Sequence, residues 1–294
     1  MRMTLARRRR LTGVLLISPA LVFVTVFFLI PLALMIWMSL HKWPLLGHPR
    51  WTGVSNYTSM VNDPTFLHAL GFTAEYTAII TPVLLAVGLG LALLVRERRR
   101  GVGFFRTVFF LPYVIGFAAA SYLWLWLLDP SVGLLDHGLQ SLGLTDKPVL
   151  WMSTANRALF AVILMIVWKV VGFTMLLLMS GLQGIPNDVQ EAARVDGAGR
   201  WDAFRRITVP LMRRSIALVT ILAVAGSFLA FDQFYILTNG GPNNQTLTLV
   251  FWIYSSSFAN FQLGYGAAMS VVLMLILMAI TAVQLYLLRD ETEM

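Results

Sequence analysis

The sequence predicts an all-α integral membrane protein with about six transmembrane helices. Of its 294 residues, 58% are hydrophobic and only 12% are charged, and the mean hydropathy is +0.75. A soluble domain carries about 25% charged residues. The second observation is a series of apolar stretches, each near the roughly 20 residues that a helix needs to cross a bilayer. The third is an uneven distribution of arginine between alternate loops.

The first apolar stretch runs from Leu11 to Leu40 and directly follows the basic run Arg7 to Arg10. A basic start before an apolar core is also the pattern of a secretory signal peptide, but that core spans about 7–15 residues. The stretch here is longer and has no clear cleavage site between small residues. We therefore predict an uncleaved membrane helix that can kink at Pro19 or Pro31.

Five further apolar stretches predict the remaining spans, at residues 72–95, 107–128, 158–182, 215–238 and 265–288. Residues 41–68 are rich in tryptophan and tyrosine, which favour the membrane–water boundary, so we expect them along the outer surface. Residues 129–156 form a second outer loop. In domain terms, we expect an N-terminal anchor with its outer segment at 1–69, a core at 70–288 and a cytoplasmic tail at 289–294.

The basic residues indicate the orientation of these spans. They are concentrated in the amino terminus, the loop after the second span and the loop before the fifth: Arg2, Arg7–Arg10, Arg96, Arg98–Arg100, Arg106, Arg194, Arg200, Arg205, Arg206, Arg213 and Arg214. The opposite loops hold only Lys42, Arg50, Lys147 and Arg157. Because cytoplasmic loops carry the excess of positive charge, both termini are predicted to be cytoplasmic. The same asymmetry explains the net charge of +8 without a nucleic-acid partner.

Several classes of chemistry are absent from the sequence. There is no cysteine, which excludes a disulfide framework or a thiolate metal site. A phosphate-binding loop needs Gly-Lys before Ser or Thr, and none of the lysines, Lys42, Lys147 and Lys169, follows a glycine. The four histidines show no metal-binding spacing, and no serine elbow is present. We expect no catalytic residue, no metal site and no ATPase site in this chain.

A charged segment between the fourth and fifth spans predicts a helix–turn–helix, which we call the knuckle (residues 184–214). Pro186 suits the first turn of a helix, and Gly197 suits its end because glycine enters the left-handed region without a Cβ penalty. A second short helix would place Trp201, Phe204 and Ile207 on one face and end at Pro210. The small residues of the first helix, Ala192 and Ala193, would let another backbone approach closely.

The knuckle resembles the cytoplasmic EAA loop of bacterial ABC importer permeases. The residues that carry the resemblance are Glu191, Ala192, Ala193, Gly197, Ile207 and Pro210, in type and spacing. Val209 departs from it, where the family usually has leucine. The resemblance implies the type I importer fold and a contact between this loop and a separate ATPase. We expect that contact to involve Glu191, Ala192, Ala193, Asp196, Gly197, Ala198, Phe204, Ile207 and Pro210.

The resemblance also implies the partners of the chain. These are a second permease subunit, two ABC ATPase subunits that bind ATP and Mg, and an extracytoplasmic solute-binding protein, all assembled at the bacterial cytoplasmic membrane. Other stretches are similar to the carbohydrate branch of the family, among them residues 237–242 with Thr246, residues 264–268 and residues 53–57. They imply a sugar, an oligosaccharide or a related polyol as the substrate.

Two charges inside predicted spans require an explanation, since a charge at mid-bilayer costs about 2.5–3.5 kcal/mol on insertion scales. Asp232 lies beside Gln233 and near Tyr235, a combination that suits a polyol, although a structural contact between helices would explain it equally well. Lys169 follows Trp168 and precedes Phe173, and it can snorkel, pair with a carboxylate or line the substrate path. We take these six residues as the candidate path.

Two alternatives remain open on the sequence. An importer of glycerol phosphate or a phosphodiester would need a cationic pocket, for which Lys169 is the available residue. An ion-driven secondary transporter would need several buried acids and inverted repeats, and only Asp232 is a strong buried acid.

Overall fold

The computed structural model describes residues 5–44, 46–96 and 100–288, and of residues 5–12, 187, 190 and 288 it describes the backbone alone. The predicted tail at 289–294, Arg2, Arg98 and Arg99 lie outside the described residues, as do the side chains of Arg7–Arg10. The α-helices are α1 (Leu5–Val24), α2 (Ile30–Ser39), α3 (Ser55–Val61), α4 (Pro64–Leu94), α5 (Val102–Val114), α6 (Phe117–Leu127), α7 (Leu134–Ser141), α8 (Ala155–Gln183), α9 (Asn187–Val195), α10 (Arg200–Ala203), α11 (Val209–Leu211), α12 (Arg213–Phe228), α13 (Leu249–Tyr254) and α14 (Leu263–Leu288). Two short strands, β1 (His41–Lys42) and β2 (Arg50–Trp51), pair in antiparallel fashion. The predicted all-α class is confirmed.

Apolar helices long enough to cross a membrane occur at four places in the described residues. They are Gly13–Ser39, Pro64–Leu94, Ala155–Gln183 and Leu263–Leu287. Two bent helix pairs, Val102–Val114 with Phe117–Leu127 and Arg200–Leu211 with Arg213–Phe228, bring the number of spans to six if each pair crosses once. The predicted number of about six therefore depends on two spans that are not straight.

The third span was predicted as one helix over 107–128, and this is wrong. The chain breaks at Ile115 and Gly116, which are both extended, and α5 and α6 meet at 99°. Hydropathy reports the apolar length of a segment and not the direction of its backbone. The break is possible within an apolar layer because Lys169 of α8 donates hydrogen bonds to the carbonyl groups of Tyr113 and Ile115, which the break leaves without helical partners.

The fifth span was predicted as one helix over 215–238, and this is also wrong. Helix α12 ends at Phe228, and a second helical segment begins at Asp232 and includes a π-helical turn at Phe234–Thr238. The hydroxyl of Thr248 donates to the Ala230 carbonyl at 2.8 Å, which satisfies an acceptor exposed by the break. Asp232 therefore lies at the start of a short segment and not inside a continuous helix.

Other element boundaries shift without changing the order of the spans. Helix α4 begins at Pro64, before the predicted start at residue 72. The first span continues as helix through Pro19, and a π-helical turn at Thr25–Leu29 precedes Pro31. A short apolar helix at Leu249–Ala259, not predicted from the sequence, precedes α14.

The chain divides by its internal contacts into two units, of which the first contains the residues up to Asp63 together with Ile253–Leu275. In this unit the ring of His41 on β1 lies between two tryptophans, 4.3 Å from Trp37 on α2 and 5.0 Å from Trp51 on β2. The Tyr265 hydroxyl donates to Asp63 at 2.7 Å. These contacts tie the aromatic segment after the first span to the start of α14.

The second unit contains Pro64–Trp252 and the chain from Ile276 onward. Its core is formed by α4 and α8, with Tyr76, Ile80, Val162, Met165 and Phe234 almost completely buried. The ring of Phe234 meets that of Tyr76 edge to face at 5.0 Å. Glycine permits a close approach in this core, since a Cβ at Gly88 on α4 would overlap the Thr174 side chain on α8.

Candidate functional site

The first helix of the knuckle, α9, follows Pro186 as the sequence predicts. Asp188 lies in its first turn and Arg194 in its last, so each charge complements the partial charge at its end of the helix. Of the small residues, Ala192 is exposed, whereas Ala193 is buried. Glu191 and Asp196 are exposed to solvent.

The turn after α9 is closed by its own backbone. Gly197 has a φ of +78°, in the left-handed region, as predicted. The Ala198 amide donates to the Ala193 carbonyl at 2.9 Å, and the Gly197 amide donates to the Arg194 carbonyl at 3.1 Å. These two bonds form a Schellman motif, which satisfies carbonyl groups left over at the helix end. A Cβ at Gly197 would meet no atom within 4 Å, so backbone strain alone requires glycine here.

The second half of the knuckle is helical but not uniform. Helix α10 is followed by a π-helical turn at Phe204–Thr208 and then by α11, which runs through Pro210 to Leu211. The helix was predicted to end at Pro210, and it ends at Leu211 instead. Proline fits at this point because it occupies the first turn of α11, where its missing N–H is not needed. The chain then turns by 68° into α12.

Apolar and cationic side chains share the exposed surface of the knuckle. Trp201 is 69% exposed and stacks on Phe204 at 5.6 Å, and Val195 is 86% exposed. A groove of about 810 Å³ runs alongside, and its lining includes Ala193, Arg194, Ala198, Arg200, Trp201, Phe204 and Ile207. The predicted shared face of Trp201, Phe204 and Ile207 is thus confirmed. Large apolar side chains exposed together are typical of a protein contact.

A cavity of about 260 Å³ lies inside the second unit. Its polar and aromatic lining consists of Tyr76, Tyr113, Phe117, Phe173, Thr174, Ser227 and Gln233, and the other lining residues are aliphatic or glycine. Gln233 is buried, and its side chain is in hydrogen-bonding contact with the Tyr76 hydroxyl. The Phe173 and Tyr113 rings stack at 4.5 Å. The cavity therefore offers neutral hydrogen-bonding groups between aromatic faces.

Of the six residues predicted for the substrate path, the structure places two, Phe173 and Gln233, in the lining of this cavity. Trp168 contacts Trp124, with ring centroids 5.9 Å apart, and Tyr235 stacks on Phe231 at 5.1 Å. Asp232 is partly buried at the start of its helical segment. These three residues are not part of the cavity lining.

Lys169 is also outside the lining, although it lies next to it. Its side chain is 2% exposed, and its ammonium group donates to the backbone carbonyls of Tyr113, at 3.3 Å, and Ile115. The Phe117 ring centroid lies 4.4 Å from Nζ. The charge is therefore bonded to backbone at the break between α5 and α6.

The sequence reasoning missed Tyr76, Tyr113, Thr174 and Ser227. A tyrosine within a predicted span, such as Tyr76, was the one signal available, because buried phenol groups need a polar partner. The threonine and the serine carried no signal, since both residue types commonly bond to their own helix.

Residues 84–291 match the family described as "Binding-protein-dependent transport system inner membrane component". This match covers most of the chain, including α8, the knuckle and the cavity lining except Tyr76. The chain belongs to this family. Its resemblance to ABC importer permeases is thereby confirmed, and it is a multi-pass membrane component of a transport system.

Relatives within the family align over nearly the whole chain. The "Probable ABC transporter permease protein YurN" of Bacillus subtilis is 32% identical over 98% of this chain and 100% of its own length. The "Sulfoquinovosyl glycerol transport system permease protein SmoG" of Agrobacterium fabrum is 34% identical over 96% and 92%. The "sn-glycerol-3-phosphate transport system permease protein UgpA" of Yersinia pestis is 34% identical over 92% and 91%.

A chain in the "Crystal structure of bacterial alginate ABC transporter in complex with alginate pentasaccharide-bound periplasmic protein" superposes with a TM-score of 0.82. It is 19% identical and covers 97% of this chain and 96% of its own. At that identity the similarity shows the fold alone. The type I importer permease fold is therefore confirmed for this family member.

Proposed function

We propose that this permease subunit carries a neutral sugar, oligosaccharide or related polyol across the cytoplasmic membrane. The observation that carries the proposal is the cavity, whose lining residues bear no charged side chain. Hydroxyl groups of a sugar both donate and accept hydrogen bonds, and the Gln233 amide, the Tyr76 phenol and the Ser227 hydroxyl can do the same. The faces of Phe173 and Tyr113 suit the C–H surface of a sugar ring.

The alternative substrate is an anionic solute such as glycerol phosphate, for which one relative is named. Recognition of a phosphate group uses arginine, lysine or clustered backbone donors. Lys169 contacts Tyr113 and Phe117 of the cavity wall, but its ammonium group is bonded to the carbonyls of Tyr113 and Ile115. This arrangement favours the neutral substrate. Family membership favours ATP-driven import over the ion-driven alternative.

Energy for transport would come from a separate ATPase pair that binds ATP and Mg, since the chain has no phosphate-binding loop. In this proposal the knuckle faces the cytoplasm, as do both termini, and its exposed Glu191, Val195 and Trp201 contact the ATPase. Because the Schellman turn fixes the angle between α9 and α10, closure of the ATPase would move the knuckle as a rigid body. A conformational switch of this kind needs differential contacts in its two states.

The substrate class can be tested by transport. The chain would be purified with its copurifying second permease, ATPase and solute-binding protein, and reconstituted in proteoliposomes. We expect ATP-dependent uptake of a labelled sugar or polyol and none of glycerol 3-phosphate. Uptake of glycerol 3-phosphate alone, or uptake that survives ATP depletion and stops when the ion gradient collapses, would contradict the proposal.

The coupling role can be tested by Gly197→Asp, with Gly199→Ala as the control. Gly197 needs its left-handed backbone, whereas Gly199 has a φ of −66° that any residue adopts. We expect Gly197→Asp to insert normally but to lose uptake and transport-coupled ATP hydrolysis, and we expect Gly199→Ala to retain both. Normal uptake by Gly197→Asp would contradict the proposed rigid-body movement of the knuckle.

A further inference from the structure

The break between α5 and α6 leaves backbone acceptors inside an apolar span. The last carbonyl groups of a helix have no partner within the helix. In a bilayer no water is available to satisfy them, and each unsatisfied group is costly. Tyr113 lies in the last turn of α5 and Ile115 directly follows this helix, and the extended conformation of Ile115 and Gly116 prevents the helix from continuing.

Lys169 meets this requirement from α8. Its ammonium group donates to the carbonyls of Tyr113 and Ile115, and an ammonium has three donors for such contacts. A cation at a helix C-terminus also complements the negative end of the helix dipole. The Phe117 ring, 4.4 Å from Nζ, presents its electron-rich face to the same charge.

The packing around Lys169 holds it in this position. A Cβ at Gly172 would overlap the Phe109 carbonyl, so glycine at this position allows α5 to lie directly on α8. Phe173 stacks on Tyr113 with the ring planes only 7° apart. One face of α8 therefore contacts α5 through a glycine, a ring and a charge.

Both flanks of the break belong to the cavity wall. Tyr113 precedes the break, Phe117 follows it, and both line the cavity. We propose that Lys169 is a positioning residue that sets the angle between α5 and α6 and thereby the Tyr113–Phe117 wall of the cavity. It acts on the substrate through this wall and does not touch it. The effect on transport rests on the proposed function of the cavity, whereas the effect on the helix angle does not.

The helix angle can be measured by spin labelling, because the chain contains no cysteine. Labels would be attached to cysteines replacing Phe105 on α5 and Tyr122 on α6, which are 54% and 63% exposed. The assembled transporter in lipid nanodiscs would be compared with its Lys169→Met variant. Lys147→Met is the matched control, since Lys147 is exposed in a loop. We expect a broadened or shifted distance distribution for Lys169→Met alone, and an unchanged one would overturn the proposal.

Transport provides the second readout. We expect Lys169→Met to raise the KM for the transported sugar several-fold with a smaller change in maximal rate, while Lys147→Met changes neither. A changed distance with an unchanged KM would retain the role of Lys169 at the break and overturn its link to the substrate cavity. This result would count against the proposed cavity and not against the helix contact.

The test does not depend on one variant. Should Lys169→Met fail to accumulate in the membrane, the same two measurements would be made on Lys169→Gln, which keeps a polar donor without the charge. We expect its distance distribution to be broader than that of the unmodified chain. Identical distributions would overturn the proposal.

Discussion

The knuckle and the contact between α5 and α8 both combine a chain turn, small residues and positive charge. They differ in which groups are buried and in what bonds to the backbone at the turn. In the knuckle the backbone closes its own turn, and the side chains of Val195 and Trp201 remain exposed. At the α5–α8 contact, Lys169 bonds to backbone carbonyls and is buried. One region presents a surface, and the other maintains the shape of the interior.

This difference predicts separate consequences for stability and for transport. Substitutions at buried contacts, whether between α5 and α8 or at the break after α12, should lower the free energy of unfolding, because they create overlap or unsatisfied groups. Substitutions on the surface of the knuckle should leave that free energy nearly unchanged and reduce transport. Three variants, in order of decreasing effect on stability, test the distinction.

Gly172→Ala should have the largest effect on stability. The added methyl group would overlap the Phe109 carbonyl and approach Phe110 Cα, and backbone cannot move aside as a side chain can. We expect a loss of about 3 kcal/mol, the upper part of the range for overpacking. The measurement is thermal unfolding in detergent. Gly71→Ala is the control, since its Cβ meets no atom within 4 Å, and equal stability of the two variants would contradict the packing described here.

Thr248→Val should have a smaller effect. It keeps the shape of the side chain but removes the hydroxyl that donates to the Ala230 carbonyl at the end of α12. Leaving a buried acceptor without a donor costs about 1–3 kcal/mol, and we expect a value near the middle of that range. Thr107→Val is the comparison, because Thr107 is exposed and bonds only within its own helix to Gly103. A stable Thr248→Val variant would show that another group satisfies Ala230.

Trp201→Ala should have the smallest effect on stability. Its exposed ring makes few contacts that folding requires, so we expect a change within about 0.5 kcal/mol. If the knuckle docks on an ATPase, loss of this ring should remove an anchoring contact of about 2 kcal/mol or more and reduce uptake at least about tenfold. Trp126→Ala, an exposed tryptophan outside the knuckle, should retain uptake. Unchanged uptake in Trp201→Ala would remove Trp201 from the coupling surface.

The knuckle could be predicted from sequence because its geometry is local. Pro186 before α9 and Gly197 after it are signals that act within a few residues, and the structure confirms both. The breaks at Ile115–Gly116 and near Ala230 could not be predicted in the same way. Their acceptors are satisfied by Lys169 and Thr248, which are distant in sequence, and hydropathy contains no information about that pairing.

The candidate path shows the same division. Phe173 and Gln233 line the cavity, but their spacing gave no means of separating them from Trp168 or Tyr235, since helix rotation is not fixed by one sequence. Lys169 was recognised as unusual because a charge in an apolar span is costly. Its partners could not be predicted, because every residue has a backbone carbonyl and the sequence does not indicate which of them accept from Lys169.

The hydrogen bonds of Lys169 to Tyr113 and Ile115 join residues that are synthesised at different times. The acceptors lie 54 and 56 residues before the donor along the chain, and synthesis proceeds from the amino terminus. The carbonyls of Tyr113 and Ile115 are therefore already synthesised when the lysine is added to the chain, and the ammonium group can bond to them and set the angle between α5 and α6 as α8 packs on α5. The acceptors of this charge therefore precede it in the order of synthesis.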